Sequence, residues 1–395
     1  MAVSSVNYQC PACGGPLTFN AAEGTMKCDF CESTFTPEEI EASLANKTQA
    51  QEQKAEKQQP DMVEEAKQEH DWVEEANESS STTATKSADP IADYLASKKE
   101  LSEGDSGTTC VQCSSCGAQL IVDSISAVST CPYCGNNSIN PGKLSGALEP
   151  DYVIPFATTK EQAIEALKEH YKGKILLPKP FSSANHIEEI QGVYVPFWLY
   201  DGESSGHGEY TCENIRTWSD SDYDYTETTT YHASRSGYAD FKLVPVDGSA
   251  RMPDDHMDSI EPYDYSQLKP FSAGYLPGFM AERYDESVAD CAPRARKRME
   301  SSVESGLHST VTGYMNVNQT SFSGDTDVSK VSYALMPVWM LHTRWNDQDF
   351  LFAMNGQTGK LVGDLPCDKK KLVMYAAGSF VAAFIVGFAA LMALL

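Results

Sequence analysis

Eight cysteines stand in two frames of the same spacing. The first is Cys10-Pro-Ala-Cys13-Gly with Cys28-Asp-Phe-Cys31, and the second is Cys113-Ser-Ser-Cys116-Gly with Cys131-Pro-Tyr-Cys134-Gly. Each position of the second frame lies 103 residues after its counterpart, and 14 residues separate the two pairs in both. Four thiolates delivered by two C-x-x-C pairs are the ligand set of a tetrahedral Zn²⁺. The expectation is two structural zinc ions, one on Cys10, Cys13, Cys28 and Cys31, the other on Cys113, Cys116, Cys131 and Cys134. Each knuckle must bend so that backbone N–H groups point at sulfur, and the residue after its second cysteine takes φ > 0, which glycine tolerates. Gly14, Gly117 and Gly135 fit, and Glu32 stands in the fourth such place. Cys110-x-x-Cys113 is a competing pair, so the spacing leaves open whether Cys110 replaces Cys113 or Cys116; the match between frames favours Cys113 with Cys116. Disulfides require an oxidising compartment, to which no N-terminal signal directs the chain. A thioredoxin-like redox site requires a single C-x-x-C at the start of a helix.

These frames must be placed by the rest of the chain, whose far end is apolar. Residues 372–395 carry no charge and follow Lys369, Lys370 and Lys371. Twenty-four helical residues span about 36 Å, enough to cross a hydrocarbon core of about 30 Å. The lysines place the preceding chain on the cytoplasmic side. A tail anchor is expected: a single pass through the cytoplasmic membrane, with the bilayer as the partner of this helix and the bulk of the chain in the cytoplasm.

Fifty-six Asp and Glu against 30 Lys and Arg give a net charge of −26. Residues 1–40 hold Lys27 against five acids, and residues 108–145 hold only Asp123 and Lys143 as charged groups. Zinc ribbons that bind nucleic acid neutralise phosphates with Lys and Arg, which excludes DNA and RNA as partners of these two. The organisation expected is a zinc ribbon at 1–37, an acidic flexible or helical linker at 38–108, a second ribbon at 109–145, an α+β domain at 146–366, a basic juxtamembrane segment at 367–371 and a transmembrane helix at 372–395. Within the linker, 37–76 reads as a surface helix containing Trp72 and Val73, and the Ser/Thr-rich run 77–86 as disordered.

In the domain, Thr158-Thr-Lys-Glu161 reads as a capping box, with Ala163, Ile164, Leu167 and Tyr171 at helical spacing behind it. Residues 192–200 read as a buried strand. Residues 208–218 and 223–235 form a hairpin about the acidic turn 219–222, and 331–344 and 350–355 are further strands. Residues 282–307 read as helix, interrupted at Pro293. Asn355-Gly356 signals a turn into a strand near Lys360. The fold class expected is α+β: two small rubredoxin-like zinc ribbons, an antiparallel-sheet-rich domain and one C-terminal transmembrane helix. Val195-Pro-Phe-Trp-Leu and Met336-Pro-Val-Trp-Met echo one another, either as two related sheet halves or, equally, as a chance likeness of buried strands; their prolines point to edges or bulges.

Catalytic patterns are sparse. Gly356-Gln-Thr-Gly359-Lys360-Leu361 lacks phosphate-loop spacing and the hydroxyl that would hold Mg²⁺, so a hairpin turn is the better reading. Asp254, Asp255, His256, Asp258 and Glu261 form either a hard-cation site or, preferably, a solvated acidic loop. His207 and His232 lie on the expected hairpin and could face each other near Cys212. Cys212, Cys291 and Cys367 read as buried small apolar residues.

From Cys110 to the anchor the chain resembles a family of bacterial membrane proteins carrying TFIIB-type zinc ribbons. The similar phrases include Cys131-Pro-Tyr-Cys134-Gly, Gly192-Val-Tyr-Val-Pro-Phe-Trp, Val244-Pro-Val-Asp-Gly-Ser, Leu335-Met-Pro-Val-Trp and Ala353-Met-Asn-Gly-Gln-Thr-Gly-Lys. Members are sometimes labelled primosomal or helicase-like, but this chain has neither motor motif nor basic groove. Some similar proteins accompany phage-shock-type envelope-stress components. The resemblance implies a non-enzymatic, membrane-bound adaptor for cytosolic and membrane proteins, in which Cys→Ser in either ribbon removes partners and leaves the α+β domain folded. The alternative is a membrane-bound hydrolase with its site near His207, His232 and the acids at 254–261.

Overall fold

The computed structural model describes residues 10–13, 17–20, 23–28, 30–36, 39–40, 89–98, 108–123, 131–136, 139–141, 148–178, 187, 189–346 and 348–394. Gly14 and most of the 38–108 segment, including Trp72, Val73, the run 77–86 and all of the helix expected at 37–76 except helical Glu39 and Ile40, lie outside them.

Among the described residues the fold is α+β, with a three-stranded sheet, an eleven-stranded mixed sheet and five α-helices. The small sheet is β1 (Leu17–Asn20), β2 (Thr25–Cys28) and β3 (Thr34–Phe35). The large sheet is built on two very long strands, β8 (Gln191–Ser219) and β12 (Asn316–Trp345), paired antiparallel. β9 (Asp224–Asp247) returns from β8 through the expected acidic turn, and β13 (Gln348–Asn355) returns from β12. β14 (Leu361–Gly363) follows the Asn355-Gly356 turn, where Asn355 Oδ1 accepts from the N–H groups of Gln357 and Thr358.

The strand expected at 192–200 and the first arm of the hairpin are one continuous element. Gly202, Gly206 and Gly208 look like breakers, yet Gly202 and Gly206 are there for close approach. A Cβ on Gly202 would stand 2.4 Å from Asp327 O, and one on Gly206 would meet Phe322 and Val303 at 2.8–2.9 Å. Glycine lets the neighbouring strand and the long helix α4 (Val288–Ser309) press onto the sheet.

The sheet's central stretch is covered on both faces, so its strands read as unbroken apolar runs. Tyr194, Trp198 and Tyr200 pack with α2 (Lys160–Tyr171) and α4 residues such as Leu167 and Met299. Val193, Val195, Phe197 and Leu199 pack on the other face with Met257 and Ile260 of α3 (Asp254–Ile260).

The two Pro-x-Trp phrases are neighbours: Pro196 pairs with Leu335, and Pro337 with Tyr194. They lie in the sheet interior, not at its edge. Each proline sits where its strand changes partner on the opposite side, where no N–H has to be donated. β8 passes there from β11 (Met280–Glu282) to β9, and β12 passes from β7 (Tyr152–Val153) to β13. The likeness continues outward. β11 runs parallel to β8 at Val193 and Tyr194, and β7 runs parallel to β12 at Ala334 and Leu335, three and two residues before the respective prolines. Gly248 O accepts from the N–H groups of Asp285 and Glu286, as Gly356 O does from Ala157 and Thr158. Tyr284 meets Trp198 edge-on and Phe156 meets Trp339 edge-on, both at 5.1 Å between ring centroids. Each short strand then leads to a capped helix, Thr159 with Gln162 for α2 and Ser287 with Asp290 for α4. The domain is therefore two interlocked copies of a strand–helix–long-hairpin unit, each lending its first strand to the other's long strand.

Several local expectations shift. The capping box is Thr159–Gln162, not Thr158–Glu161; Thr158 Oγ1 instead donates to Gly356 O and accepts from Trp339 Nε1. α4 begins at Val288 and continues through Pro293 as one helix, while Glu282 belongs to β11. Cys212 and Cys291 are buried as expected, but Cys367 is exposed. Residues 89–98 include helix α1 (Pro90–Ser97), which docks on the domain: Tyr94 donates to Asp151, and Lys98 forms an ion pair with the same carboxylate.

Candidate metal centres

The structure brings each predicted set of four sulfurs together. Cys10, Cys13, Cys28 and Cys31 form one group and Cys113, Cys116, Cys131 and Cys134 another, with all sulfurs of a group within 4.8 Å of one another. In the first, Cys10–Cys31 and Cys13–Cys28 are 3.5 and 3.4 Å apart; in the second, Cys113–Cys134 and Cys116–Cys131 are both 3.7 Å apart. A disulfide would need about 2.05 Å. The edge of a tetrahedron built on metal–sulfur bonds of ~2.3 Å is about 3.8 Å, so both groups can hold a tetrahedral ion.

The knuckles share one backbone pattern. The N–H groups of Cys28, Cys113 and Cys131 donate to the carbonyls of Ser33, Ala118 and Asn136, and those of Glu32, Gly117 and Gly135 donate back to the respective cysteine carbonyls. This closes a turn whose fifth residue has φ near +60 to +75: +60 at Glu32, +75 at Gly117 and +66 at Gly135. Glu32 thus adopts the left-handed conformation despite its Cβ.

The thiols differ in their readiness to lose a proton. Hydrogen bonding to the Ser33 side chain, then to its backbone, lowers Cys31 to about 6. Burial pushes Cys113 up, but the backbone N–H groups of Cys116 and Ser115 outweigh it and bring it to about 7. Burial raises Cys116 and Cys131. A bound divalent ion would hold all four as thiolates.

Cys110 belongs to neither group. It lies on β4 (Thr108–Cys113) opposite Ile121 of β5 (Gln119–Asp123), buried on the sheet face opposite to Cys113. Three residues along a strand reverse the side chain's direction, which settles the competition in favour of Cys113.

The second group is built into the large sheet. β5 pairs with β11, with Leu120 opposite Glu282 and Ile121 opposite Ala281, so the ladder runs across the expected boundary at 145/146. Between Cys131 and Cys134, Tyr133 turns inward and its hydroxyl donates to Glu282 at 2.5 Å. Glu282 is fully buried, also accepts from Ser249 Oγ at 2.9 Å, and lies 3.9 Å from Arg251. Burial pushes its carboxyl up to about 8 against the pull of these hydrogen bonds. Arg251 in turn donates to Gly117 O at 3.2 Å and pairs with Asp285. Sequence reasoning missed this network because Glu282 stands among charged residues and reads as the start of a helix.

The other singled-out residues have structural surroundings. Asp254, Asp255 and Asp258 are solvated as expected, but they and Glu261 belong to a short helix and its end, not to a loop. Arg294 binds Asp247, Asp254 and Asp258, and Arg298 grips Glu261 through both nitrogens. His207 and His232 share the hairpin but do not face each other, since His207 pairs with Ser236 and His232 with Thr211. His207 instead bridges Ser236 Oγ at 2.8 Å and Glu209 Oε1 at 2.9 Å. These partners follow from strand register alone, which the sequence does not reveal. The trio is exposed, with His207 and Glu209 on β8, which is paired on both sides, and Ser236 on β9.

The Bacillus subtilis protein that bears the name "Uncharacterized protein YdjG" is 38% identical to this chain over 236 residues, covering 60% of this chain and 69% of YdjG. The chain belongs to the YdjG family. No family model matches it, and no solved structure does so either. The stretch shared with YdjG is longer than any single element of the fold, so the likeness spans several of them.

Proposed function

We propose that this protein is a membrane-anchored adaptor that holds two structural zinc ions and presents its first ribbon and α+β domain to cytosolic protein partners. All-thiolate tetrahedral sets support zinc over hard ions, which prefer oxygen. The anchor is α5 (Lys369–Leu394), an apolar helix long enough to span a bilayer. Apart from Lys371, which donates to Leu177 O, its described side chains are exposed, Phe380 by 74%. Such a surface in water would be a large uncovered patch, whereas in lipid it is satisfied. The lysines at its start favour a cytoplasmic domain.

The observation that carries the adaptor reading is Phe30. It stands between Cys28 and Cys31 on the first ribbon and is 77% exposed. An aromatic side chain on a metal-stiffened turn is a ready anchor for a protein interface. The acidic chain is unsuited to nucleic acid, and the resemblance to ribbon-bearing membrane proteins beside envelope-stress components points to proteins of that kind as partners. The test is co-purification from native membranes in mild detergent, comparing the unaltered chain with Cys10→Ser/Cys13→Ser and Phe30→Ser. Stoichiometric partners lost in both variants are expected. Identical recovery from all three chains would overturn the reading.

A hydrolytic role is the second reading, favoured only by the Ser236–His207–Glu209 hydrogen bonds. Labelling of Ser236 by a fluorophosphonate, abolished in His207→Ala, would carry it; an unlabelled Ser236 would remove it.

A further inference from the structure

β9, β8 and β12 form a long blade with two outer edges, and the two edges are treated differently. Over 316–333 the edge of β12 is blunted. Its register against β8 slips between Gln319 and Ser321 and again between Val328 and Lys330, and Lys330 sits at the second slip. Bulges and lysines are how sheet edges are kept from pairing with other chains. β9 has neither along most of its length. Its register with β8 is unbroken from Ser219↔Asp224 to Gly202↔Phe241, and 224–241 contains no Pro and no Lys. Among the described residues β9 pairs with β8 alone, which leaves its other edge as a straight row of unused backbone groups.

The side chains along this edge complement themselves. Set antiparallel against a second copy, with the two-fold axis beside Tyr231, each Glu227 faces the other copy's Arg235, Asp224 faces Tyr238, and Thr228 faces Ser234. Moving the axis to His232 sets Asp224 against Asp240, and moving it to Thr230 leaves Glu227 opposite Ala233. Neither Glu227 nor Arg235 has an ion pair within the described chain. The side-chain contact of Arg235 is to the Ser234 carbonyl, and Tyr231 is held in place by Tyr314, with ring centroids 5.3 Å apart. We infer that the outer edge of β9 is a self-association surface: two copies of this chain join by antiparallel pairing of residues 224–238 about Tyr231, continuing one sheet into the next. Main-chain hydrogen bonds supply the attraction, and the paired Glu227–Arg235 contacts select the register.

Sedimentation of the full chain in detergent micelles tests this. The unaltered chain is expected to dimerise. Glu227→Arg and Arg235→Glu should each weaken the dimer by roughly tenfold or more, because each sets two like-charged pairs face to face. The double variant Glu227→Arg/Arg235→Glu should restore it, which also shows that the variants fold. A dimer indifferent to either reversal would place association elsewhere, as through α5, and overturn the proposal. A monomer at every concentration, with the 224–238 amides protected from hydrogen exchange, would mean that another segment of the same chain covers the edge, and would overturn it equally.

Discussion

The residue before the last cysteine is Phe30 in the first four-cysteine group and Tyr133 in the second, and the two side chains occupy opposite surroundings. Phe30 points into solvent, whereas Tyr133 is 9% exposed and bonded to a buried carboxylate. The spacing, the backbone turn and the sulfur geometry are shared, so metal chemistry does not separate the two groups. Their neighbours do. The first group closes a three-stranded sheet of its own, while the second is hydrogen-bonded into the eleven-stranded sheet. One ligand frame thus turns its aromatic residue to solvent at one place and ties it to a buried carboxylate at the other.

The strongest way to break this contrast is to remove ligands. Cys113→Ser/Cys116→Ser should lower the main thermal transition by about 10 °C or more, because the ion's binding energy is part of the sheet's folding energy. Cys10→Ser/Cys13→Ser, whose three-stranded sheet shares no ladder with the large one, should shift that transition less. Calorimetry of both variants checks this, and equal shifts would erase the distinction. Domain integrity after loss of a ribbon is therefore predicted for the first ribbon and not for the second.

Next in size is the carboxylate behind Tyr133. Glu282 binds its proton more tightly folded than unfolded, with a folded value of about 8 against an ordinary 4.5. Between those values unfolding releases a proton, so this group's contribution makes stability fall as pH rises from about 4.5 to 8, by on the order of 3–5 kcal/mol. Glu282→Gln, which imitates the protonated acid, should flatten that slope in denaturant titrations at a series of pH values. An unchanged slope would show that the carboxyl ionises freely in the folded protein.

Smaller effects sharpen the comparison at single side chains. Tyr133→Phe should cost about 1–3 kcal/mol by stripping a hydrogen bond from a buried acceptor. Phe30→Ser should stay within about 0.5 kcal/mol of the unaltered chain in the same denaturation assay. Smallest is Glu32→Gly, which should stabilise the first group by about 1 kcal/mol by relieving a left-handed non-glycine residue, read as slower metal loss to a chelator. Gly135→Ala should do the reverse at the second group, where a Cβ would also stand 3.0 Å from His342 Nδ1.

Local patterns were legible. The cysteine frames, the 219–222 and 355–356 turns, and the apolar stripe Ala295–Met299–Val303 each depend on residues near in sequence. Long-range pairing hid the rest. Whether Gly202 and Gly206 end a strand or admit a neighbour depends on Asp327 and Val303, more than 90 residues away. The Pro-x-Trp echo was visible, yet the prolines looked like edge markers because nothing local tells where a strand exchanges partners. Arg294 and Arg298 determine what the 254–261 acids do, and that pairing joins two separate helices.

The interlocked halves also set a timetable for the ribosome. β7 is made early, but its partners Ala334 and Leu335 emerge about 180 residues later. At roughly 5–20 residues per second, Tyr152 and Val153 wait on the order of 10–40 s with their apolar surroundings incomplete. Neither half can be finished before the other is synthesised, so both halves close only once residue 335 has emerged.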